Sequence, residues 1–334
     1  MFCFQLYVYA MKRLHKKRFM NKSLSELHNE FMRECEFSRK LSTDTLRGYE
    51  SAYKLFVKLM GEDIQLAMLT PEFMTEFFRR IDQRERKVGN SKVVNGVKKS
   101  TIATYRSKLA KFFGWLEKKG HIKQNPFKEM EFPDVRYEDK KFLKREEVER
   151  ILNAVSFNIE WSNSFVKKRC LAILFLGLYC GLRKGEILGQ RLIDVDFDRN
   201  QITVRAESSK SKRERVIPLN RMVKQHLKDY IEERKKRKLL CEYLMVSNSG
   251  DRRFTGHGHK HLMNRLVDAS GLRFHTHQLR HTFAINMLNS GCDIAKLQQL
   301  LGHRDIRMTA AYLRCIPTSA MRVDVERLML DNLV

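Results

Sequence analysis

The chain has 334 residues, with 65 Lys or Arg residues against 39 Asp or Glu residues, and its formal net charge at pH 7 is +26. Because this length exceeds what one compact hydrophobic core usually holds, we expect two domains. The basic residues recur along most of the chain, from Lys12 to Arg327, which favours a nucleic acid held along an extended surface over a localised membrane-binding patch.

Cysteine usage and the N-terminal segment predict a cytoplasmic protein. The seven cysteines are widely spread and form no Cys-x-x-Cys pair, so they support neither a disulfide framework nor a zinc ribbon. Residues 1–20 place an apolar run before their basic residues, the reverse of a secretory signal, and that run is too short to span a bilayer. We treat 1–20 as an N-terminal extension, in which Met11 or Met20 is an alternative start, and expect no membrane attachment.

Residues 21–122 are predicted to form a basic bundle of four helices. Ser23 followed by Glu26 has the spacing of a capping box. The second helical stretch has an apolar stripe that ends at Gly61 and comprises Leu46, Tyr49, Tyr53, Phe56 and Val57. A third stretch has Pro71 in its first turn, and a fourth follows the segment GNSKVVNGVKKS, for which we expect a polar loop.

Residues 123–143 contain two prolines and show no periodicity, so we expect a linker there and a second domain over 144–334. That domain has an apolar helical stretch ending at Gly181 and then three short β-branched segments, of which the first two are joined by a tight turn at 198–200. Its remaining segments have mostly helical patterns. The predicted fold class is therefore mainly α, with an α+β second domain that contains a small antiparallel sheet.

Two segments of the second domain carry charged side chains at a turn and at a hairpin. In GLRKGEIL, Arg183 and Glu186 are three positions apart, so they share a helix face and the carboxylate can orient the guanidinium. In SSKSKRERVIPL, Lys210 and Lys212 are predicted to lie at the tip of a β-hairpin, where a mobile loop can bring an ammonium group to a ligand. Taken singly, the first pattern is also typical of a surface ion pair and the second of a solvated turn.

Two later segments add histidines, an arginine and a tyrosine. In HTHQLRH, His277 and Arg280 are three positions apart and face the same way on a helix, and His281 lies one turn from His277. In LLGHRDIRMTAAY, His303 follows a helix and Tyr312 comes later in the same segment. A single histidine or tyrosine in such a place is usually a hydrogen-bonded core residue.

Taken together, these side chains suit phosphodiester transesterification. Two guanidinium groups can bind the nonbridging oxygens, on which negative charge accumulates in the transition state. Histidines can donate hydrogen bonds or move a proton, a tyrosine oxygen can attack phosphorus, and a lysine can protonate the departing oxygen. Because removing one such donor typically slows a reaction by about 10²–10³-fold, several must act together.

In this order, the four segments resemble the motifs of the tyrosine recombinase family, the Xer-type and phage integrases, and the resemblance covers nearly the whole chain. It implies a helical core-binding domain over 21–122 and a catalytic domain over 144–334. The positions that match the family's catalytic residues are Arg183 and Arg280 for the phosphate-binding arginines, Lys210 for the general acid, His277 and His303 for the histidines, and Tyr312 for the nucleophile. Glu186 resembles the acidic support of the first arginine, and His281 resembles the histidine that often follows the second.

The resemblance further implies a site-specific recombinase that cuts and rejoins double-stranded DNA through a 3′-phosphotyrosyl intermediate, without a metal or another cofactor. It implies a homo-oligomer, expected to be a tetramer on paired DNA sites, in which an amphipathic C-terminal tail docks on a neighbouring subunit or packs on its own domain. The segment before Ser23 is too short to resemble the arm-binding domain of many phage integrases, which favours recognition of one core site. Candidate contacts to the DNA backbone are Lys99, Thr101, Arg106 and Lys111.

Three other interpretations are open from the sequence. Two histidine clusters could bind a metal ion, although neither has an obvious acidic or cysteine ligand nearby; they are His275, His277 and His281, and His257, His259 and His261. A type IB topoisomerase would use a similar catalytic set and would relax supercoils without pairing two sites. A catalytically inactive DNA-binding protein is the third interpretation, against which every expected catalytic side chain is present.

Overall fold

The computed structural model describes residues 22–88, 92–131, 141–209 and 212–316. The chain divides into two compact units, residues 1–137 and 138–334, and each unit has a hydrophobic core of its own. Within the described ranges, no helix combines the length and the apolar composition that a bilayer crossing requires.

Four α-helices are described in the first unit, in agreement with the predicted bundle: α1 (Leu24–Arg33), α2 (Thr43–Met60), α3 (Pro71–Gln83) and α4 (Lys99–Lys118). A capping box fixes the start of α1, since the Glu26 N–H donates to the Ser23 hydroxyl at 3.2 Å and the Ser23 N–H donates to the Glu26 carboxylate at 2.8 Å. The hydroxyls of Ser42 and Thr70 accept backbone N–H groups at the starts of α2 and α3.

Aromatic side chains dominate the core of the first unit. The ring of Phe56 meets those of Phe77 and Phe113 edge-on, with centroids 5.1 and 5.7 Å apart, an arrangement that aromatic rings favour. Phe127, which belongs to the segment predicted as a linker, is buried in the same core. The first unit therefore includes part of the 123–143 segment.

We expected a polar loop over residues 89–100, and this prediction is wrong for the middle of the segment. Strand β2 (Lys92–Asn95) pairs antiparallel with β1 (Glu85–Val88), because its two consecutive valines favour an extended backbone. Gly96 follows with φ +71°, and a Cβ at this position would lie 2.6 Å from the carbonyl oxygen of Asp82. Only glycine fits this close approach, which returns the chain from the hairpin to α4.

The second unit contains a small sheet between groups of helices. The helices before the sheet are α5 (Arg145–Asn153), α6 (Ser164–Cys180) and α7 (Lys184–Gly189). The strands are β3 (Val195–Asp196), β4 (Gln201–Val204) and β5 (Arg215–Pro218). The helices after the sheet are α8 (Arg221–Lys236), α9 (Gly256–Ser270), α10 (Thr276–Asn289), α11 (Ile294–Leu301) and α12 (Arg307–Ala310).

The three strands of the second unit form one antiparallel sheet in the order β3-β4-β5, as the sequence predicts. Asn200 has φ +52° in the turn between β3 and β4, a left-handed conformation that asparagine tolerates better than most residues. Ile202 of β4 lies opposite Ile217 of β5, and both are buried. One face of the sheet therefore packs on the core, while residues 205–214 connect β4 to β5.

Helices α6 and α10 approach each other closely through two glycines. A Cβ at Gly177 would lie 2.9 Å from the Leu279 side chain, and a Cβ at Gly181 would lie 2.4 Å from the Phe283 ring. Larger residues would push the helices apart, because protein interiors are close-packed. This contact brings the end of α6 and the start of α7 beside α10, so that the GLRKGEIL and HTHQLRH segments meet.

His28 is predicted to make the first unit sensitive to acid. Its ring is 2% exposed and stacks on Tyr53 at a centroid distance of 3.7 Å. Burial lowers the pKa of His28 to about 4, against the opposing charge of Glu50. An unfolded histidine titrates near pH 6.5, so below this pH the unfolded chain binds a proton that the folded unit excludes until about pH 4. The free energy of unfolding should fall by up to about 3 kcal/mol across this window.

Tryptophan fluorescence can measure this change in the full chain. The sequence has two tryptophans, Trp115 in the core of the first unit and Trp161 against that of the second, so urea unfolding of W161F reports on the first unit. Adding H28F, whose ring can still stack on Tyr53, should remove most of the pH dependence. Equal stability of the W161F first unit at pH 6.5 and pH 4.5 would contradict the exclusion of the proton.

Candidate active site

Arg183 is placed by the turn that joins α6 to α7. Gly181 ends α6 in the left-handed conformation, and Arg183 has an extended backbone just before the first turn of α7. Glu186, three residues later, accepts the Arg183 backbone N–H at 2.9 Å and the Arg183 guanidinium at 2.9 Å. The side chain of Glu186 is 1% exposed, so this is a buried contact and not a surface ion pair.

Arg280 lies on α10 with its guanidinium enclosed. It donates to the carbonyl oxygens of Gly181 at 2.7 Å and Leu301 at 2.6 Å, and it lies 3.0 Å from Nε2 of His303. Burial lowers the pKa of Arg280 to about 9; the charge of Arg183 acts in the same direction and that of Glu186 opposes it. The guanidinium is therefore charged at neutral pH, and three contacts hold it in place.

His303 follows the left-handed residue Gly302 at the end of α11, and its neighbours determine its tautomer. A guanidinium only donates hydrogen bonds, so the Nε2 atom of His303 accepts from Arg280. The ring proton is then on Nδ1, which donates to the Thr309 hydroxyl at 2.9 Å. Because Thr309 is fully buried, the imidazole has one orientation.

Tyr312 directs its hydroxyl toward these groups from a buried position. The side chain packs in the small apolar cluster beside α10 and α11, and the hydroxyl lies 2.8 Å from Nδ1 of His281. Its ring is nearly parallel to that of His303, with an interplanar angle of 6° and centroids 6.5 Å apart. Burial raises the pKa of Tyr312 above its usual value, whereas the charges of Arg280 and Arg183 act in the opposite direction.

His277 lies one helical turn from His281 on α10. Its ring is stacked toward that of His281, with centroids 6.3 Å apart. Desolvation lowers the pKa of His277, although part of the side chain is exposed, and the charges of His275 and Arg280 add to the effect. His277 is therefore neutral at pH 7, a state in which an imidazole can both donate and accept a hydrogen bond.

Arg215 is a further member of the cluster that sequence reasoning missed. Its side chain, on β5, is 8% exposed and contacts both carboxylate oxygens of Glu186, at 2.8 and 3.1 Å. One signal was available, because side chains alternate along a strand and Arg215 falls on the same face as the buried Ile217. A charged residue on the inward face of a strand requires a partner.

The structure describes only one of the two lysines that the sequence places at the tip of the β4–β5 hairpin. Lys210 lies outside the described residues, so its place at the hairpin tip stays a prediction. Lys212 is exposed in the connection and has φ +51°.

The histidines of GHGHKH do not form one cluster. His259 is buried, with its pKa lowered by burial to about 4, and its Nε2 atom lies 3.4 Å from the Thr276 hydroxyl. His257 and His261 are exposed, with their Nε2 atoms 2.9 Å apart, because residues four apart share a helix face and residues two apart do not. In the part of the chain that the structure describes, no three His, Cys, Asp or Glu side chains are grouped to hold a metal ion.

The four candidate backbone contacts lie on α4 of the first unit. Lys99 and Lys111 are exposed, whereas Thr101 and Arg106 are half-buried. At 3.6 residues per turn, Lys99 and Arg106 fall on one side of the buried face of α4, and Thr101 and Lys111 fall on the other. The four residues therefore flank the buried face and do not form a single stripe.

The second unit thus brings side chains from four sequence segments into one cluster. The cluster contains Arg215 and six of the predicted residues. These six are Arg183, Glu186, Arg280, His281, His303 and Tyr312. The guanidinium groups can bind an anion, the imidazoles can accept or donate protons, and the phenol oxygen can act as a nucleophile.

Comparison with known protein families divides the chain in a similar way. Residues 141–317 match the phage integrase family, and residues 17–133 match the phage integrase SAM-like domain. The first match contains every residue of the cluster, and the second contains the four helices of the first unit.

Individual relatives cover most of the chain. Tyrosine recombinase XerC of Syntrophus aciditrophicus (strain SB) is 28% identical over 315 residues, which are 92% of this chain and 96% of that relative. Tyrosine recombinase XerC of Oceanobacillus iheyensis is 25% identical over 291 residues, 84% of this chain and 89% of that relative. Among solved structures, the Tn1549 transposon integrase in complex with transposon right end DNA has a TM-score of 0.71 at 22% identity, over 92% of this chain and 99% of that one. The structural likeness concerns the fold.

Thr309 is predicted to stabilise the His303 ring by accepting the hydrogen bond from its Nδ1–H group. Thr309→Val keeps the side-chain volume but removes the acceptor for the Nδ1 proton, so a buried N–H loses its partner. This loss should lower the free energy of unfolding by about 1–3 kcal/mol. In ¹⁵N NMR spectra, wild-type His303 should show a protonated Nδ1 and an unprotonated Nε2. In the variant, which keeps Arg280, the proton should stay on Nδ1 and the Nδ1 signal should shift because its hydrogen bond is gone.

Thr309→Ser is the matched control, because serine retains the hydroxyl and should preserve the His303 spectrum. If the wild-type spectrum instead showed the proton on Nε2, the assigned hydrogen bond from Arg280 to His303 would be wrong.

Proposed function

Because the chain belongs to the phage integrase family and is a tyrosine-type site-specific recombinase, we propose that it cuts and rejoins double-stranded DNA with Tyr312 as the nucleophile. The observation that carries this assignment is the position of the Tyr312 hydroxyl. It lies 2.8 Å from the imidazole of His281 and within the field of the Arg280 and Arg183 guanidinium groups. A nucleophile, a proton acceptor and an anion-binding pair are therefore adjacent.

In the first step that we propose, the Tyr312 oxygen forms a bond to phosphorus and the bond from phosphorus to the 5′ oxygen breaks. The Tyr312 proton can pass to Nδ1 of His281, which is at hydrogen-bond distance. Lys210 is assigned to protonate the departing 5′ oxygen. Arg183 and Arg280 bind the nonbridging oxygens, on which charge increases in the transition state.

The products of this step are a 3′-phosphotyrosyl enzyme and a 5′-hydroxyl. A 5′-hydroxyl of the partner strand then attacks the phosphotyrosine, its oxygen forms the new bond to phosphorus and the bond from phosphorus to the Tyr312 oxygen breaks. The hydroxyl proton goes to Lys210, and the proton held by His281 returns to Tyr312. Because the covalent link retains the energy of the broken phosphodiester, the cycle needs no nucleotide cofactor. In this proposal, guanidinium groups stabilise the charge on phosphorus without a metal ion.

We place the reaction on paired DNA sites in the cytoplasm. A structural relative was solved in complex with transposon right end DNA, which supports DNA as the partner. Exchange between two duplexes breaks four strands, and each chain supplies one Tyr312, so we expect a tetramer. The C-terminal tail expected to join subunits lies outside the described residues. Complete strand exchange by a species sedimenting as a dimer would contradict the tetramer.

The relatives are recombinases and integrases, and they give no support to the topoisomerase alternative.

Replacing Tyr312 with phenylalanine should abolish strand cleavage and leave DNA binding unchanged. The substitution removes only the hydroxyl that forms the bond to phosphorus. Incubation with end-labelled target DNA, followed by denaturing gel electrophoresis, should show a covalent protein–DNA adduct for the wild type and none for Y312F. Affinity can be compared by fluorescence anisotropy on the same DNA.

The matched control is His281→Asn, which loses the imidazole but keeps Tyr312. It should still form the adduct, at a rate lower by about 10²–10⁴-fold if His281 accepts the proton. An adduct formed by Y312F at the wild-type rate would show that another residue is the nucleophile.

The charges on α4 should contribute to DNA affinity through counterion release. If Lys99 and Lys111 each contact one phosphate, K99Q and K111Q should each reduce the slope of log affinity against log salt by about 1. The loss should be equal for target and random DNA, because phosphate contacts carry no sequence information.

Lys58, which is exposed on α2, provides the control for this measurement. K58Q removes one positive charge from another helix of the same unit and should leave the slope unchanged. Equal slopes for the wild type, K99Q and K111Q would exclude Lys99 and Lys111 from the proposed phosphate interface.

A further inference from the structure

We propose that Arg215 is a positioning residue that engages the Glu186 carboxylate, so that Arg183 and Arg280 keep their positive charge available for the scissile phosphate. This inference rests on the proposed function and adds a residue to its machinery. Arg215 is not expected to touch the DNA itself, since its side chain is 8% exposed and its donors face protein groups.

The contacts of Arg215 join three parts of the active-site cluster. Two of its nitrogens contact Glu186 of α7 at 2.8 and 3.1 Å, and its Nε donates to the Leu300 carbonyl of α11 at 2.7 Å. A paired guanidinium–carboxylate contact of this kind fixes both distance and orientation. Because Arg215 itself belongs to β5, it ties the strand that follows the Lys210 loop to the segments that carry Arg183 and His303.

Gly302 makes room for this arrangement. Its φ is +64°, and a Cβ at this position would lie 3.0 Å from a terminal nitrogen of Arg215 and 3.1 Å from its Cδ. Glycine therefore satisfies both the left-handed backbone and the close passage of the Arg215 side chain. The turn that presents His303 is thus built around Arg215.

The charges in the cluster explain why a third arginine is useful. Arg183, Arg215 and Arg280 carry three positive charges and Glu186 carries one negative charge, so these four side chains have a net charge of +2. A phosphodiester has one negative charge in the ground state and approaches two in the pentacoordinate transition state. The cluster therefore gains attraction for phosphorus as the reaction proceeds, which is the condition for lowering the barrier.

Arg215 supplies two of the four hydrogen bonds that the Glu186 carboxylate accepts, and Arg183 supplies the other two. Burial alone would raise the pKa of the Glu186 carboxyl, but the hydrogen bonds and the charge of Arg215 outweigh it, with smaller contributions from the Arg183 backbone and Arg280, and the pKa is lowered. Without Arg215, the buried carboxylate would attract the remaining guanidinium groups, which lie 2.9 Å (Arg183) and 3.8 Å (Arg280) away. Each group drawn to Glu186 is lost to the phosphate, and the net charge falls to +1.

This role can be separated from a purely structural one by changing the charge of the substrate. The test compares single-turnover cleavage of a normal target with cleavage of the same target carrying an uncharged methylphosphonate at the scissile position. Arg215→Gln keeps hydrogen-bond donors and removes the charge. On the phosphodiester it should cleave about 10²-fold more slowly than the wild type, with unchanged DNA affinity. On the methylphosphonate, R215Q should also cleave more slowly than the wild type. The ratio of the two rates should be several-fold smaller there than on the phosphodiester.

Two further variants complete the comparison. Arg215→Lys keeps the charge and should recover most of the phosphodiester cleavage that Arg215→Gln loses. The double variant R215Q/E186Q restores the net charge of +2 and removes the uncompensated carboxylate, so it should cleave faster than R215Q. Arg205→Gln is the matched control, because Arg205, just after β4, also contacts a buried carboxylate, that of Asp194 just before β3, at 2.6 Å; it should cleave as the wild type does.

The outcomes separate this inference from the proposed function. If the wild type forms no covalent adduct with any target, both are overturned. If the wild type cleaves, equal losses for R215Q on the two substrates would assign Arg215 a structural role and overturn this inference alone. Should R215Q fail to fold by circular dichroism, R215Q/E186Q takes its place and is compared with E186Q on the phosphodiester. If Arg215 acts through Glu186, the two variants should cleave at similar rates, and cleavage by the double variant about 10²-fold slower than by E186Q would overturn the inference.

Discussion

The buried carboxylate of Glu186 is the group on which the rest of the active-site cluster depends. A carboxylate removed from water destabilises a fold by several kcal/mol unless it is paired and hydrogen-bonded. Here it is 1% exposed and contacts guanidinium groups from the residue just before α7, from β5 and from α10, together with a backbone N–H. These three elements are far apart in the sequence, so the need to neutralise one buried charge brings them to the same point.

The arginines also bind the ends of helices. The last carbonyl groups of a helix lack partners within it and carry partial negative charge. Arg280 donates to the carbonyl of Gly181 at the end of α6 and to that of Leu301 at the end of α11, and Arg215 donates to the neighbouring carbonyl of Leu300. A guanidinium has five N–H donors, and these contacts use only some of them. Arg280 can therefore hold the scaffold and still present positive charge to an anion.

The sequence predicts those parts of the site that depend on spacing along one helix. Arg183 with Glu186, and His277 with Arg280, follow from the helical period. The same period separates His259 from His257 and His261, although the sequence interpretation kept the three together as a possible metal site. Arg215 depends on a contact between β5 and α7, which no local pattern contains, and only its place on an inward strand face indicates it. The β1–β2 hairpin was missed for a different reason, because its polar composition outweighed its two adjacent valines in the interpretation of the segment.

The hydrogen bonds within the cluster also limit the ways in which it can handle a phosphate. Each oxygen of Glu186 already accepts from two donors, and guanidinium groups have no lone pairs to offer a cation. A divalent ion approaching this region would meet a net positive charge and occupied oxygens, so the ligand chemistry disfavours it. An anion would meet fixed donors that need no rearrangement as charge develops on phosphorus. For this reason we expect that the cluster stabilises its transition state with covalently fixed charges, whose placement depends on how firmly Arg215 holds the Glu186 carboxylate in position.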